Sequence, residues 1–132
     1  MSFLPHLPRT GLELEGRRLP VDVALASTFL ARLRGLMLSD PIAPACGLLI
    51  VPCNSIHTLG IRGALEAVFL SKKMQVLKIS SPLKPWRSLS ACSGAWAVLE
   101  WRVGEAANFG LREGSQLKQV SAGGPPLKSL FP

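Results

Sequence analysis

The chain has 132 residues, of which 48% are hydrophobic and 17% are charged, so it suits one domain with a core and excludes a globally disordered polypeptide. Fifteen Lys and Arg residues against eight Asp and Glu residues give a net charge of +7, which favours polyanionic partners. The cations are scattered along the chain, so the charge indicates a basic surface more than a specific nucleic-acid site.

The N-terminal segment, residues 1–10, contains prolines where a signal peptide would have an apolar helix, and it predicts a loose arm. The longest apolar window, residues 41–53, holds three prolines and is shorter than the roughly 20 residues needed to cross a bilayer. No transmembrane segment is therefore predicted, and the location expected is cytoplasmic. Three cysteines, an odd number without disulfide-framework spacing, agree with that location: Cys46, Cys53 and Cys92.

The first elements follow from alternation and capping. Apolar and acidic residues alternate over residues 11–16, and a second apolar stretch covers residues 19–25, which predicts a hairpin with one wet face. Ser27 or Thr28 can cap a helix because a side-chain oxygen accepts from a free backbone N–H. Apolar residues then follow at helical spacing, and Gly35 predicts the end of that helix.

The middle of the chain holds two short apolar runs, residues 47–51 and 64–70. Runs without polar alternation are typical of strands that are buried on both faces. Residues 75–79 are predicted to form a hairpin with the second run. Residues 80–90 contain two prolines and predict a loop.

The C-terminal part predicts a strand over residues 96–101, a short helix over 104–109 and a closing strand over 116–120. Residues 122–132 predict a disordered tail. One domain over residues 11–121 is therefore expected, with an α+β, mainly β fold. Its architecture would be a small curled mixed or antiparallel sheet, or a partly closed barrel, with one or two short helices.

Several motifs occur in an order that resembles the domain of unknown function 192 family. They lie at residues 34–38, 47–51, 53–62 and 65–70, and the match continues through residues 83–87, 98–104 and 110–114. The resemblance covers about residues 20 to 120 and involves the branch with a Ser-Ile-His-Thr motif. It implies a compact, mainly β fold and no settled biochemical activity. The chain has Glu66 and Ser115 where the family usually has aspartates.

Cys53 and His57 raise the question of a thiolate–imidazole dyad. Along a strand they would be about 13 Å apart, whereas on a helical turn their Cβ atoms would be about 5–6 Å apart. We favour the simpler interpretation, in which Cys53 packs as a small apolar residue and His57 hydrogen-bonds to the backbone. The Cys and His residues also lack zinc-ligand spacing, so no metal site and no cofactor are predicted.

Glu66 begins an otherwise apolar strand face, where an unpaired carboxylate would be costly. Arg62 and His57 are its nearest partners in sequence. Glu66 would then either orient His57, hold a ligand cation or form a structural ion pair. Glu100 poses the same problem, and the favoured interpretation is a rim carboxylate balanced by a cation such as Arg102. If the two carboxylates converge, one pKa should be raised.

The leading hypothesis is a small binding or accessory module with a polar pocket around His57 for a small polar or anionic ligand or for a protein segment. The alternatives are a hydrolase-like enzyme in which Glu66 orients His57 as the base, and weak nucleic-acid binding through the basic surface. Arg87 could complete an anion site beside Trp86, or Trp86 could simply close the barrel end. The candidate site residues are Cys53, Asn54, His57, Thr58, Arg62, Glu66, Arg87 and Glu100.

Overall fold

The computed structural model describes residues 3–36 and 40–122, which form ten strands and two short helices. The strands are β1 (Arg9–Leu14), β2 (Arg17–Arg18), β3 (Asp22–Ala26), β4 (Cys46–Ile50), β5 (Ser55–His57), β6 (Leu65–Leu70), β7 (Val76–Leu83), β8 (Leu89–Ala91), β9 (Ala97–Trp101) and β10 (Leu117–Val120). The helices are α1 (Phe29–Arg34) and α2 (Glu105–Phe109). The predicted α+β, mainly β class is confirmed.

One curled, mixed sheet carries eight of these strands. Its order is β10-β1-β3-β4-β9-β6-β7, with β2 paired to β1, and only the β3–β4 pair is parallel among the described strands. The edge strands β7 and β10 approach each other at one corner, where Gln75 and Gln116 form an isolated bridge. Two register shifts between β6 and β7 add to the bending. The prediction of a partly closed barrel is therefore confirmed.

Both faces of the central strands are buried, which explains their continuous apolar runs. Val68 and Leu99 face one side, whereas Phe69 and Val98 face the other. The first core contains Leu12, Leu14, Leu19, Val23, Leu49, Val51, Val68, Leu70, Met74, Val76, Ala97, Leu99, Trp101, Ala106, Leu111 and Leu117. The second core contains Ala24, Ala26, Leu36, Leu48, Ile50, Ile56, Ile61, Leu65, Ala67, Phe69, Leu83 and Val98.

Helix α1 provides the crossover between the parallel strands β3 and β4. Thr28 caps it, since its side chain accepts from the backbone N–H of Ala31 at 3.1 Å. The helix ends at Gly35, which has a φ of 50°. The predicted cap and end of this helix are confirmed. Leu36 then enters the second core, so the last turn of α1 is held against that face of the sheet.

A two-stranded ribbon of β5 and β8 lies outside the main sheet. Neither strand was predicted: β5 lies in the histidine motif, and β8 begins within the segment 80–90 that was predicted to be a loop. That prediction is wrong at both ends, because β7 continues through Pro82 to Leu83. Proline is tolerated there because β7 is an edge strand.

The N-terminal segment contacts the second core through Phe3, Leu4 and Leu7, and β1 already begins at Arg9. The tail predicted over residues 122–132 lies, apart from Ala122, outside the described residues. Nowhere in residues 3–36 and 40–122 is there a helix with the length and apolar character to cross a membrane.

Candidate functional site

A cleft with a volume of about 270 Å³ opens on the face of the sheet that carries the second core. Its walls come from the end of α1, the chain from the end of β4 to Ile61, and one residue of β9. The charged or reactive side chains in it are Arg32, Arg34, Cys53, His57 and Glu100. Its apolar side chains include Leu36, Ile50, Ile56 and Ile61. The cleft therefore combines an apolar wall with polar groups of both signs.

His57 is exposed where β5 lines the cleft. Ile56 is buried in the second core, so Ser55 and His57 on either side of it point away from that core. His57 lies directly opposite Leu89 in the ribbon. Directly opposed residues share a face, so the exposed side chain of Leu89 extends this surface beyond His57.

The imidazole of His57 is held by the chain that follows it. Its Nδ1 accepts a hydrogen bond from the backbone N–H of Leu59 at 3.3 Å. In the neutral ring the proton then lies on Nε2, because one nitrogen donates when the other accepts. His57 therefore offers the cleft a hydrogen-bond donor.

Cys53 lies half-buried in the same cleft, and its Sγ donates to the carbonyl of Ser55 at 3.2 Å. Burial is the main cause that raises the pKa of this thiol, and Glu100 raises it further, while the Ser55 hydrogen bond and Arg32 lower it. The thiol therefore stays protonated at neutral pH and is not an activated nucleophile. Across the described ranges, no group of three or more His, Cys, Asp or Glu residues is placed to hold a metal ion.

Glu100 is the buried acid of the cleft, with only 3% of its surface exposed. Burial raises the pKa of its carboxyl group to about 8. Within the described part of the chain, no hydrogen-bond donor and no cation pairs with this carboxyl group. The rim position predicted for Glu100 is wrong, because β9 is buried along its whole length.

Arg32 and Arg34 come from the last turn of α1. Arg32 donates through Nη1 to the carbonyl of Pro52 at 3.3 Å. Its Nε is buried and has no partner among the described residues. Arg34 is exposed at the cleft. The basic side of the cleft thus contains at least one N–H that the described protein groups do not satisfy.

Glu66 lies on the opposite face of the sheet. Glu100 pairs with Ala67 across β6 and β9, so Glu66, the preceding residue of β6, points the other way. Its carboxylate accepts from Trp101 Nε1 at 2.7 Å and from the backbone N–H groups of Ala106 at 2.8 Å and Gly104 at 3.2 Å. These bonds attach the start of α2 to the sheet.

The partners predicted for Glu66 are therefore wrong. Neither His57 nor Arg62 contacts it, because nearness in sequence does not carry across the sheet. Arg62 instead forms an exposed ion pair with Asp40 at 3.4 Å. The two carboxylates of Glu66 and Glu100 do not converge, so the raised pKa of Glu100 results from burial and not from a second acid.

Thr58 is fully buried, and its hydroxyl group forms hydrogen bonds within the protein. Its Oγ1 donates to the carbonyl of Lys84 at 2.7 Å and accepts from the backbone N–H of Ser88 at 2.9 Å. This pair of bonds fixes the loop that leads into β8. Asn54 lies at a separate, open surface, and Arg87 is exposed outside the cleft.

The comparisons with known proteins establish the family. The model of the domain of unknown function 192 family (DUF192), described as an uncharacterized ACR, matches residues 11–119. The chain belongs to the DUF192 family. That family is uncharacterised, so membership assigns no reaction and no ligand. No curated protein matches the chain.

Two solved structures have a similar fold. A protein of unknown function from Novosphingobium aromaticivorans DSM 12444 is 21% identical, with a TM-score of 0.72, and the match covers 83% of each chain. A protein from Sinorhizobium meliloti 1021, described as a "putative transcription regulator", is 22% identical, with a TM-score of 0.74. That match covers 85% of this chain and 92% of the other. Both likenesses show the fold alone.

In this DUF192 chain, the cleft brings together three of the eight predicted site residues: Cys53, His57 and Glu100. The other five lie elsewhere: Asn54, Thr58, Arg62, Glu66 and Arg87. Sequence reasoning did not identify Arg32 and Arg34 as site residues. A signal was present, because both cations lie at the end of a helix that returns the chain to the sheet.

Proposed function

We propose that the protein binds a small anionic ligand with an apolar part in the cleft between α1 and β5. The observation that carries the proposal is the convergence of Arg32, Arg34 and the His57 imidazole at one apolar-walled cleft. A guanidinium offers planar, paired donors that match a carboxylate or a phosphate. The prediction named a polar pocket around His57 and a polar or anionic ligand. The proposal specifies the cleft and restricts the ligand to anions.

The unsatisfied Nε of Arg32 supports this function. A buried donor without a partner is unfavourable, and the residue that carries it lines the cleft in which an anion would bind. His57 adds a further donor, since its Nδ1 is already occupied by the Leu59 backbone. The net charge of +7 would also attract anions towards the protein over longer distances.

The apolar walls support a ligand that is more than a free inorganic anion. Leu36, Ile50, Ile56 and Ile61 line the cleft beside the basic groups. Small-molecule sites usually combine apolar surface with a few placed polar groups, and they occupy roughly 300–1,000 Å³. A cleft of about 270 Å³ suits a ligand at the small end of that range.

The hydrolase hypothesis has less support from the same geometry. It requires a histidine base oriented by a carboxylate, but Glu66 is bonded to Trp101 on the other face of the sheet. The Nδ1 of His57 is occupied by the backbone N–H of Leu59, and burial keeps the Cys53 thiol protonated. Binding needs none of these groups to be activated. Nucleic-acid binding through the basic surface stays a prediction.

Isothermal titration calorimetry of the full chain with 4-methylpentanoate tests the proposal. This probe has one carboxylate and a branched apolar tail that match the two sides of the cleft. We expect binding that weakens about tenfold or more in Arg32→Gln, since a hydrogen bond to a charged group contributes about 1.5–3 kcal/mol. Arg87→Ala is the matched control, because Arg87 is exposed outside the cleft. Absence of binding to the wild type, or equal weakening by both variants, would contradict the proposal.

A further inference from the structure

The cleft holds a buried acid as well as cations, and this combination restricts the chemical class of the ligand further. Glu100 is 3% exposed and lines the cleft without a hydrogen-bonding partner among the described residues. It does not pair with Arg32 or Arg34 either: the ion pairs in residues 3–36 and 40–122 are Arg9–Asp22 and Arg62–Asp40. Two cations and a buried acid thus line one cleft, and the acid contacts neither cation.

The acid Glu100 and the base Arg32 line the same cleft as Cys53. Its thiol lies within electrostatic reach of both Glu100 and Arg32, which act on its pKa in opposite directions. Glu100 comes from β9 of the sheet, whereas Arg32 comes from α1 above it. A ligand between the sheet and the helix would meet an acid on one side and a base on the other.

We infer that the ligand is zwitterionic, in the class of α-amino acids with an apolar side chain, and that Glu100 binds its ammonium group while Arg32 binds its carboxylate. This inference rests on the proposed anion-binding function. The apolar side chain of the ligand would lie against Leu36, Ile50 and Ile56. A zwitterion satisfies both unpartnered groups of the cleft at once, whereas a simple anion satisfies only the basic one.

Binding of an ammonium group would also offset the unfavourable free energy of burying the carboxylate of Glu100. A carboxylate without a partner in an apolar site takes up a proton, and a cation at hydrogen-bonding distance favours the ionised form again. Ligand binding near neutral pH should therefore release a proton from Glu100. The other titratable or charged groups that face this cleft are Cys53, His57, Arg32 and Arg34.

The test compares three probes with the same branched carbon tail, titrated into the full chain at pH 7. L-leucine carries both charged groups, 4-methylpentanoate lacks the amine, and 3-methylbutylamine lacks the carboxylate. We expect L-leucine to bind about tenfold or more tightly than either of the others. Its binding enthalpy should vary with the ionisation enthalpy of the buffer in the direction of proton release, and that of 4-methylpentanoate should not.

The variant Glu100→Gln tests whether the preference for L-leucine depends on this carboxyl group. It should reduce the affinity for L-leucine to that for 4-methylpentanoate and change the latter by less than about twofold. The wild-type probe series and the proton release need no variant, so they test the inference even if Glu100→Gln does not fold.

The possible outcomes separate the two proposals. If 4-methylpentanoate binds as tightly as L-leucine and depends on Arg32, the zwitterion inference is overturned and anion binding stands. If neither L-leucine nor 4-methylpentanoate binds the wild type, both proposals are overturned. If L-leucine binds preferentially but without proton release and without dependence on Glu100, the assigned partner of the ammonium group is wrong.

Discussion

Two buried glutamates on neighbouring strands of the sheet have opposite surroundings. Glu66 on β6 is 4% exposed and Glu100 on β9 is 3% exposed, so burial does not distinguish them. Glu66 faces the first core and accepts hydrogen bonds from Trp101, Gly104 and Ala106. Glu100 faces the cleft, and no described group donates to it. Their side chains point to opposite faces because they are one position out of register across the β6–β9 pair.

The difference shows that burial of a carboxylate does not by itself mark a functional site. A buried acid whose acceptors are occupied has no capacity left for a ligand, and it acts as part of the structure. A buried acid without donors is unfavourable in the empty protein and favourable only with a suitable partner. The first face of the sheet is therefore structural at Glu66, and the second face carries the proposed binding site.

Removing the structural acid should have the largest effect. Glu66→Ala leaves the indole N–H of Trp101 and the backbone N–H of Ala106 buried without acceptors, and each such group costs about 1–3 kcal/mol. We expect the free energy of unfolding to fall by roughly 4–5 kcal/mol in urea denaturation. The exposed Glu113→Ala is the control and should change it little. A loss below about 1 kcal/mol for Glu66→Ala would contradict the structural role.

The second-largest effect is expected in the pH dependence of the free energy of unfolding, through Glu100. The pKa of Glu100 is about 8 in the folded protein against an ordinary 4.5, so between these values the folded state holds a proton that the unfolded state releases. This contribution to stability is complete below pH 4.5 and is lost as the pH rises through about 8. The wild type should lose about 3–4 kcal/mol between about pH 5 and 8.5 through this group.

Urea denaturation of wild type and Glu100→Gln across that pH range measures this loss. The variant carries no titrating group at this position, so its curve should be flatter than that of the wild type. Parallel curves for the two proteins would show that Glu100 ionises at its ordinary pH in the folded state. The comparison between the two buried acids would then fail.

A smaller effect on the free energy of unfolding is expected at Thr58, whose hydroxyl group is hydrogen-bonded within the protein. Thr58→Val removes the bonds of Thr58 to Lys84 and Ser88 and should lower the free energy of unfolding by about 2 kcal/mol. The exposed Ser55→Ala is the control in the same ribbon. If both changes have equal effects on urea denaturation, Thr58 does not anchor the loop before β8.

The smallest effect should come from Arg62, whose ion pair with Asp40 is exposed to solvent. Exposed pairs contribute about 0–1 kcal/mol, since solvent screens both charges. Arg62→Ala should therefore change the free energy of unfolding by less than about 1 kcal/mol, and added salt should reduce even that difference. A larger loss would show a contact beyond the Asp40 pair.

Much of the fold could be predicted because its signals are local. The apolar run that contains β4 and the one that contains β6 identify strands without any knowledge of their neighbours. The Thr28 cap and the stop at Gly35 are likewise properties of a few adjacent residues. The β5–β8 ribbon could not be predicted, because its two three-residue strands are separated by more than thirty residues and each gains stability only from the other.

The candidate site was predicted in part, and the errors have one cause. Cys53, His57 and Glu100 were identified as chemically notable, and they line one cleft. Glu66 was assigned to His57 because the two are close in sequence, whereas its donors come from residues 101–106. Arg32 was not identified, because only the fold brings the end of α1 beside β5 and β9.

The sequence by itself determined the strand-rich class, the position of the capped helix and the family to which the chain belongs, since apolar runs, caps and ordered motifs are read along the chain. Only the tertiary structure decided which buried acid is bonded and which faces the cleft. Adjacent residues of a strand point to opposite sides of a sheet, so a shift of one position in strand pairing determines which groups share a site.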